Sequence, residues 1–429
     1  MKHFVTTKTE SFVEKNISAV NKAQSRLTIT DEKISDIEGF GGCFNELGYK
    51  AFSALSEEKR SEVMQALFGE KGCRFEFCRL PVAANDFALD WYSYDETPND
   101  FELRDFSIDR DKTTIIPYVR EAMKVRKDLF FFASPWSPPT WMKNNSEYFA
   151  HNDGTLKKDP DTRRAFSKYL SKYLSAYEKE GIKIGAICPQ NEPRAETEYP
   201  SCVYDGEDFK DLYDNYLYRE IRKNNPSVKI WLGTVNSENA EDFPFRFFES
   251  GCGADKPDAI GFQWIGKEAI QKTHEAFPNV PLIQTESECG DGQNTFEYAE
   301  YIFSLMQHYL RNGVCAYVYW NLILGSDPSS SWKWKQNSLV TVLEKENGYR
   351  FNPEYYLLKH FAAFVGKGDR SVKTVGEWSL NTAAFKTGGG KTVAVVHNPL
   401  NEERTVQIAS GKKEVCVVLP ARSFNTVVI

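Results

Sequence analysis

An alternation of short apolar strands with amphipathic helices runs through most of the chain and constrains its fold more than any other feature. The strand-like segments are continuously apolar, which is typical of strands buried on both faces of a parallel sheet. Eight such strand–helix repeats predict a (β/α)8 TIM barrel. The eight predicted strands are 37–44, 75–82, 129–134, 182–188, 228–235, 258–264, 281–286 and 315–321.

The hydrophobic period changes towards both ends of the chain. Beyond about residue 365 the pattern becomes a series of short alternating strands, in which Gly388-Gly389-Gly390 is a hairpin signal. The start of the chain holds similar polar, alternating segments. Because chain ends often lie together, we predict a small side β-sandwich formed by both ends. The predicted domains are N-terminal sandwich strands (1–35), the catalytic barrel (36–365) and the C-terminal part of the sandwich (366–429).

Charge and composition argue against several classes of partner. The 429 residues carry a formal net charge of −7, which is unfavourable for nucleic acid as the main partner. No segment approaches the roughly 20 apolar residues of a membrane span. The N-terminus lacks the apolar core of a signal peptide, so we expect a cytoplasmic protein, or a secreted one whose signal has been removed. The nine cysteines lack metal-ligand spacing, and we expect neither a metal nor a cofactor.

Two glutamates stand at the ends of predicted barrel strands. Glu192 follows the fourth strand within Asn191-Glu192-Pro193, where Pro193 has no N–H with which to continue a ladder. Glu286 ends the seventh strand. Residues after barrel strands face one common pocket, so we expect the two carboxyl groups to lie across it from each other. Such a pair suits glycoside hydrolysis, in which one carboxyl protonates the leaving oxygen and the other attacks the anomeric carbon or activates water.

Other interpretations of the two glutamates stay open. They could be surface or ion-paired residues, or ligands of a hard metal ion, although no cluster of aspartate or histidine supports a metal site. If they do share a buried pocket, their like charges and the burial would raise the pKa of one and leave the other ionised.

Aromatic residues gather at the same predicted end of the barrel. Trp136, Trp264 and Trp320 lie at or just past strand ends, and Trp91 lies in the long polar loop 83–107 after the second strand. Sugar rings pack their C–H faces on flat aromatic faces, while polar neighbours bind the hydroxyl groups. Each tryptophan alone could be a core residue, but their number at one end predicts carbohydrate binding.

Several motifs along the chain form a set, in which the string Pro-Trp-Ser-Pro-Pro-Thr-Trp-Met is the most specific. The motifs are Gly39-Phe40-Gly41-Gly42, Arg79-Leu80-Pro81, Asn85-Asp86-Phe87, the string from Ser134 to Lys143, Asn191-Glu192-Pro193, Gln284-Thr285-Glu286 and Tyr319-Trp320-Asn321. With them the sequence resembles glycoside hydrolase family 30 over nearly its whole length. That family includes glucosylceramidases, endo-β-1,6-glucanases and several β-glycosidases.

The resemblance implies a retaining enzyme with Glu192 as acid/base and Glu286 as nucleophile. It also implies that Asn191 binds the sugar 2-hydroxyl, that Asp86 and Trp136 line the same subsite, and that both chain ends form a side sandwich. One departure concerns the substrate. Glucosylceramidase-like members carry His-Trp-Tyr after the sixth strand, where this chain has Gln263-Trp264-Ile265, and this difference argues against ceramide as the aglycone.

We therefore expect an exo-acting retaining β-glycosidase that releases a terminal glucose-like or fucose-like sugar, because the long second loop could close one end of the cleft. The alternatives are an endo-β-1,6-glucanase, a glucosylceramidase-like hydrolase, or a non-catalytic carbohydrate-binding barrel. Sugar, linkage and oligomeric state stay open. The candidate substrate contacts are Asp86, Asp90, Trp91, Trp136, Asn191, Gln263, Trp264, Trp320 and Asn337.

Overall fold

The computed structural model describes residues 1–17, 23–251 and 253–429, so residues 18–22 of the predicted N-terminal segment and one cysteine, Cys252, lie outside the described residues. The strands are β1 (Lys2–Thr6), β2 (Val13–Lys15), β3 (Ser25–Asp36), β4 (Gly39–Cys43), β5 (Phe77–Val82), β6 (Phe130–Pro135), β7 (Ile184–Ile187), β8 (Lys229–Val235), β9 (Ala259–Gln263), β10 (Leu282–Glu286), β11 (Val314–Asn321), β12 (Ile323–Leu324), β13 (Val340–Leu343), β14 (Gly348–Phe351), β15 (Arg370–Gly376), β16 (Thr382–Lys386), β17 (Thr392–Asn398), β18 (Arg404–Ser410), β19 (Lys413–Leu419) and β20 (Ser423–Val428). The α-helices are α1 (Glu46–Ser53), α2 (Glu57–Phe68), α3 (Ile115–Val125), α4 (Pro160–Lys179), α5 (Gly206–Leu212), α6 (Tyr218–Asn224), α7 (Arg246–Phe248), α8 (Ile270–Ala276), α9 (Phe296–Arg311) and α10 (Pro353–Ala362).

Strands β4 to β11 close into a barrel, with β4 hydrogen-bonded to β11. Every neighbouring pair in this barrel is parallel. The predicted (β/α)8 TIM barrel is confirmed, and its eight strands fall within the eight predicted segments to within a residue or two. All strand carboxyl ends therefore open onto one face of the barrel, where side chains from different strands can meet.

The helices around the barrel follow from local sequence signals. Ser56 caps α2 by accepting a hydrogen bond from the Lys59 amide. In α4, Tyr169, Tyr173 and Tyr177 recur every four residues and are all fully buried, so the predicted apolar stripe is part of the core. Of the helices the structure describes, none is long and apolar enough to cross a membrane.

Both chain ends join in one nine-stranded sheet, which forms the side β-sandwich. Its strand order is β19-β18-β3-β15-β16-β17-β20-β1-β2. The N-terminal strands pair with C-terminal ones, because β1 pairs with β20 and β3 lies between β18 and β15. This sheet has a hydrophobic core of its own, separate from that of the barrel. The prediction that both ends build one sandwich is confirmed.

Two features near the barrel top were not predicted from the sequence. Helix α1 directly follows β4, and a three-stranded sheet of β12, β13 and β14 follows the last barrel strand. The strands of this small sheet hold only two to four residues, which is too short to give a readable period. The segment between β12 and β13, residues 325–339, is named the β12–β13 loop below and reaches over the barrel face.

Candidate active site

The two glutamates meet at the carboxyl-end face of the barrel. Glu286 is the last residue of β10, and Glu192 lies shortly after β7. Both are nearly buried, with 6% and 7% of their surfaces exposed. The sequence placed them at strand ends, and the closed barrel brings these two strand ends to one pocket.

Arg79, in the middle of β5, is the centre of the hydrogen-bond network in this pocket. It is fully buried, and its Nη1 donates to Glu286 Oε2 at 2.6 Å while its Nη2 donates to Asn191 Oδ1 at 2.6 Å. The same Nη2 also donates to Ser134 Oγ at 2.7 Å. The guanidinium lies 4.5 Å from the ring centroid of Trp136, close enough for a cation–π contact. Arg79 therefore joins β5, β6 and both glutamate-bearing segments.

The Glu286 carboxylate accepts hydrogen bonds on both oxygens. Besides Arg79, Gln263 Nε2 donates to Oε2 at 3.2 Å, and Trp264 Nε1 donates to Oε1 at 2.9 Å. Burial raises the pKa of Glu286, and the positive charge of Arg79 is the largest effect that opposes the rise. Charge-assisted bonds of this kind stabilise the ionised form and fix the carboxylate in one orientation.

The Glu192 carboxyl has different surroundings. Among the residues that the structure describes, it forms no ion pair, and its backbone amide donates to Thr234 O at 3.1 Å. Burial, followed by the negative charge of Glu286, raises the pKa of Glu192 to about 8. Its φ of 48° lies in the left-handed region, a strained conformation of the kind that collects at functional sites. The raised pKa favours the protonated form of Glu192 at neutral pH.

A third carboxyl group, that of Asp86, completes the polar floor of the pocket. Burial and then the charges of Glu286 and Glu192 raise the pKa of Asp86 well above its usual range, so the three carboxyls are close neighbours. Within the described chain, Asp86 Oδ1 is buried and has no hydrogen-bond partner. This oxygen is an unused hydrogen-bond acceptor beside the two glutamates.

Asn191 and Gln263 are held by the same network. Asn191 Oδ1 accepts from Arg79, from Thr234 Oγ1 at 3.1 Å and from Gln263 Nε2 at 3.0 Å. Its Nδ2 donates to none of the described residues and so can donate to a substrate. Gln263 Oε1 accepts from Arg79 and from Thr285 Oγ1 at 3.0 Å. Gln263 is fully buried and bonded at both ends, so it helps to orient Glu286 and Asn191.

Aromatic rings form the walls of the pocket. Trp136 and Trp320 pack with ring centroids 5.3 Å apart beneath the pocket. Above them, four rings follow one another from the Glu286 side to the Glu192 side, with successive centroids 5.8, 5.1 and 5.0 Å apart. These four residues, named the aromatic arc below, are Trp264, Trp334, Trp332 and Tyr199. The arc gives the pocket the flat apolar surfaces on which sugar rings pack.

The loop after β5 and the β12–β13 loop are tied together beside Asp86. Ser331 donates to Asp86 O from its amide at 3.2 Å and from its hydroxyl at 3.1 Å. Trp91 Nε1 in turn donates to Ser331 Oγ at 3.3 Å. The structure thus brings Trp91 to the rim of the pocket, as part of a link between two loops.

Two predicted substrate contacts lie in surroundings that the sequence did not reveal. The Asp90 side chain is 83% exposed, and its carboxylate lies 3.7 Å from Arg110 Nη2. Asn337 is fully buried, and its amide is already used: Nδ2 donates to Glu354, and Oδ1 accepts from the amides of Gly292 and Asn294. Residue type and position in a loop do not reveal such internal partners.

Sequence reasoning missed the roles of three pocket residues. The sequence does indicate a structural role for Arg79, because a charged residue inside an otherwise apolar barrel strand needs a buried partner. Thr234 lies at the end of β8 and bonds Asn191, but a threonine at a strand end carries no distinctive signal. Tyr199 lies in the long segment after β7, and only the folded chain shows that it reaches Glu192.

Two segments of the chain match models of known protein families. Residues 37–244 match the glycosyl hydrolase family 30 TIM-barrel domain, and residues 371–427 match the glycosyl hydrolase family 30 beta sandwich domain. The two matched segments together cover more than half of the chain. The chain belongs to glycoside hydrolase family 30. It is a glycoside hydrolase, and the suspected resemblance is confirmed.

Similar proteins carry two different names within this family. Lysosomal acid glucosylceramidase of Mus musculus is 26% identical over 92% of this chain and 82% of its own length. An endo-1,6-beta-D-glucanase of Neurospora crassa is 27% identical over 91% of this chain and 85% of its own length. Among solved structures, SrfJ from Salmonella typhimurium has a TM-score of 0.90 at 23% identity and covers 100% of this chain and 99% of its own. A solved endo-β-1,6-glucanase has a TM-score of 0.85 at 20% identity over 99% of this chain and 98% of its own. At these identities the solved structures bear on the fold alone.

Proposed function

We propose that this family 30 enzyme is a retaining β-glycosidase in which Glu286 is the nucleophile and Glu192 the acid/base. The proposal rests on the different hydrogen-bond partners and pKa values of the two carboxyl groups. Glu286 receives bonds from Arg79, Gln263 and Trp264, whereas Glu192 has no cationic partner within the described chain and a pKa of about 8. A nucleophile must be ionised and oriented, while a general acid must hold its proton near neutral pH.

In the proposed first step, Glu192 donates its proton to the glycosidic oxygen as the bond to the anomeric carbon breaks. Glu286 attacks that carbon from the opposite face and forms a covalent glycosyl–enzyme, while the aglycone leaves as an alcohol. In the second step, Glu192, now a carboxylate, takes a proton from water. The resulting hydroxide attacks the anomeric carbon, Glu286 leaves as a carboxylate, and the sugar product keeps the β configuration.

Other pocket residues have proposed roles in binding the sugar. Asn191 Nδ2, which has no partner among the described residues, is placed to donate to a hydroxyl next to the anomeric carbon. Asp86 offers its unpartnered Oδ1 to a hydroxyl further round the ring. Trp136 and the aromatic arc supply apolar surface for the ring faces.

We further propose exo action on a terminal glucose-like or fucose-like sugar. The support is the link beside Asp86, where Ser331 and Trp91 join the loop after β5 to the β12–β13 loop. A boundary on that side of the pocket favours binding of one terminal ring over binding of an internal part of a chain. Gln263, in the position where glucosylceramidase-like members have histidine, argues against a ceramide aglycone.

An endo-β-1,6-glucanase is the second candidate, because a relative and a solved structure of similar fold carry that name. Nitrophenyl β-glycosides of several sugars, screened beside short β-linked oligosaccharides, test both proposals. Single sugars released from a linear oligosaccharide at the outset support exo action. Early release of di- and trisaccharides from internal bonds would favour the endo-glucanase, and hydrolysis of none of these substrates would contradict both.

A further inference from the structure

A buried carboxylate outside the pocket, that of Asp111, is bonded to three tyrosines. Asp111 lies in a short 3-10 turn before α3 and is fully buried. Its Oδ1 accepts from Tyr92 Oη at 2.6 Å, and its Oδ2 accepts from Tyr94 Oη at 2.6 Å and Tyr177 Oη at 2.5 Å. Burial raises the pKa of Asp111 to about 6, and the three hydroxyl groups oppose that rise. This group of four side chains is named the Asp111 cluster below.

One member of the cluster is also bonded to the backbone that leads into the active site. The Tyr94 hydroxyl accepts a hydrogen bond from the Ala83 amide at 2.8 Å while it donates to Asp111. Ala83 directly follows the last residue of β5 and has a φ of 64°, a left-handed conformation that is unfavourable for a residue with a Cβ. The chain makes its turn from the barrel strand at this residue.

That turn determines where Asp86 lies. Asp86 comes three residues after Ala83, and its carboxyl group is close enough to Glu286 and Glu192 for their charges to raise its pKa. The next residues have bonds of their own: the Ala84 amide donates to Tyr92 O at 3.2 Å, Phe87 O accepts from the Leu47 amide at 3.0 Å, and Asp86 O accepts from Ser331. Ala83 is the first residue of this segment, so we expect a change in its backbone to shift Asp86 relative to the two glutamates.

Helix α4 keeps the Tyr94 ring in place. Tyr94 stacks on Tyr173 with ring centroids 5.8 Å apart and planes at 10°, and on Tyr169 at 5.7 Å and 26°. The Tyr94 amide also donates a hydrogen bond to Tyr169 Oη at 3.1 Å. All of these side chains are buried. Contacts with helix α4 of the barrel therefore fix the position of the Tyr94 ring and of the hydroxyl that bonds Ala83.

We propose that Tyr94 and Asp111 are positioning residues, which hold Ala83 in its left-handed conformation and thereby direct Asp86 towards the two glutamates. The inference rests on the proposed function only in assigning sugar binding to Asp86. The Tyr94 hydroxyl is the coupling element, because a phenol oxygen can accept from Ala83 and donate to Asp111 at the same time.

Two matched variants separate positioning from simple stability. Tyr94→Phe removes the acceptor of the Ala83 amide and one donor to Asp111, whereas Tyr177→Phe removes only a donor to the same Asp111 oxygen. Hydrogen exchange measured by mass spectrometry should show faster exchange in peptides covering residues 83–88 in Tyr94→Phe and no change there in Tyr177→Phe. If the Tyr94 variant does not fold, hydrogen exchange is measured in Asp111→Asn instead. That substitution weakens the bond between the Tyr94 hydroxyl and residue 111 and so loosens the hold of Tyr94 on the Ala83 amide.

Steady-state kinetics test whether the effect of Tyr94 on activity acts through Asp86. With 4-nitrophenyl β-D-glucopyranoside as the probe, Tyr94→Phe should lower kcat/KM by about 10- to 100-fold, in the range expected for a small misplacement of a binding group. In an Asp86→Ala background the same change should lower kcat/KM by less than about twofold, because coupled residues are not additive.

Two results would overturn the inference. One is unchanged exchange at residues 83–88 in the Tyr94 variant, and the other is an equal loss of kcat/KM with and without Asp86. Failure of the proposed function is seen separately: the wild-type enzyme would then leave the glucoside and the oligosaccharides of the substrate screen intact, while the exchange experiment would still test the positioning.

Discussion

The carboxyl groups of Glu286 and Glu192 share one pocket, but their surroundings differ in charge and in backbone support. Glu286 lies within a barrel strand and is contacted by a buried arginine, an indole N–H and an amide N–H. Glu192 lies in the segment after β7, has left-handed backbone dihedrals and has no cation of its own within the described chain. Two residues of the same type are thus given two different proton affinities.

This difference depends largely on one side chain. Arg79 donates to Glu286 but reaches the Glu192 segment only through Asn191, so its charge favours ionisation of one glutamate over the other. With Glu286 ionised nearby, ionisation of Glu192 becomes more difficult, which favours a proton on the proposed general acid. Burial of both carboxyls makes the effect larger than it would be in water.

Removal of the ionised member should give the largest loss. Glu286→Gly should lower kcat by at least about 10⁴-fold, as losses of nucleophiles do. Azide is small enough to occupy the vacated space and attack from the same face, so it should restore turnover and give the α-glycosyl azide. Product analysis by NMR checks this, with the variant without azide as the control. A β-glycosyl azide would mean that Glu286 is not the nucleophile.

Removal of the protonated member should give a loss that depends on the leaving group. Glu192→Ala should slow glycosylation by poor leaving groups by about 10²- to 10³-fold and should spare dinitrophenolate, which leaves without a proton. Azide should now speed deglycosylation and yield the β-glycosyl azide. Stopped-flow rates with a series of aryl glycosides measure the dependence. Equal losses across the series would exclude Glu192 from the acid role.

The pH profile should show the same division. Because the acid must be protonated and its pKa is about 8, kcat/KM should fall by about tenfold per pH unit above that value. In Glu192→Ala, assayed with a dinitrophenyl glycoside, this alkaline decline should disappear. Its persistence in the variant would show that a different group titrates, such as Asp86.

Loss of one hydrogen bond to Glu286 should have a smaller effect on kcat. Trp264→Phe keeps an aromatic ring but removes the N–H that contacts Oε1 at 2.9 Å, and kcat should fall by about tenfold, as for a lost bond to a charged group. Trp378→Phe is the matched control, because its indole donates to Ser25 Oγ at 2.7 Å in the sandwich. A similar loss of kcat in both variants would point to general destabilisation.

The fold and the two glutamates could be predicted because they depend on periodic or local signals. Eight apolar strands gave the barrel, and Pro193 together with the strand ends placed Glu192 and Glu286 at the open face. The small β12–β13–β14 sheet could not be predicted, since β12 has two residues and its pairing depends on the folded barrel.

The remaining pocket residues show a similar limit. Asn337 had a suitable side chain in a suitable loop, but its amide bonds to Glu354 and to backbone amides, which no spacing reveals. Asp90 lies near Asp86 in sequence but faces solvent, because the loop turns between them. Arg79 was visible as an isolated charge in a strand. Its partners come from β6, β9, β10 and the segment after β7, which are far apart in sequence.

Covalent labelling tests the division of roles between the glutamates most directly. A 2-deoxy-2-fluoro β-glycoside with a dinitrophenyl leaving group, made from the sugar that the substrate screen identifies, forms the glycosyl–enzyme but releases it slowly. After proteolysis, mass spectrometry should find one added fluorosugar on the peptide that contains Gln284-Thr285-Glu286, with the label on Glu286. A label on Glu192, or full turnover of the reagent with no labelled peptide, would contradict the assignment of Glu286 as the nucleophile.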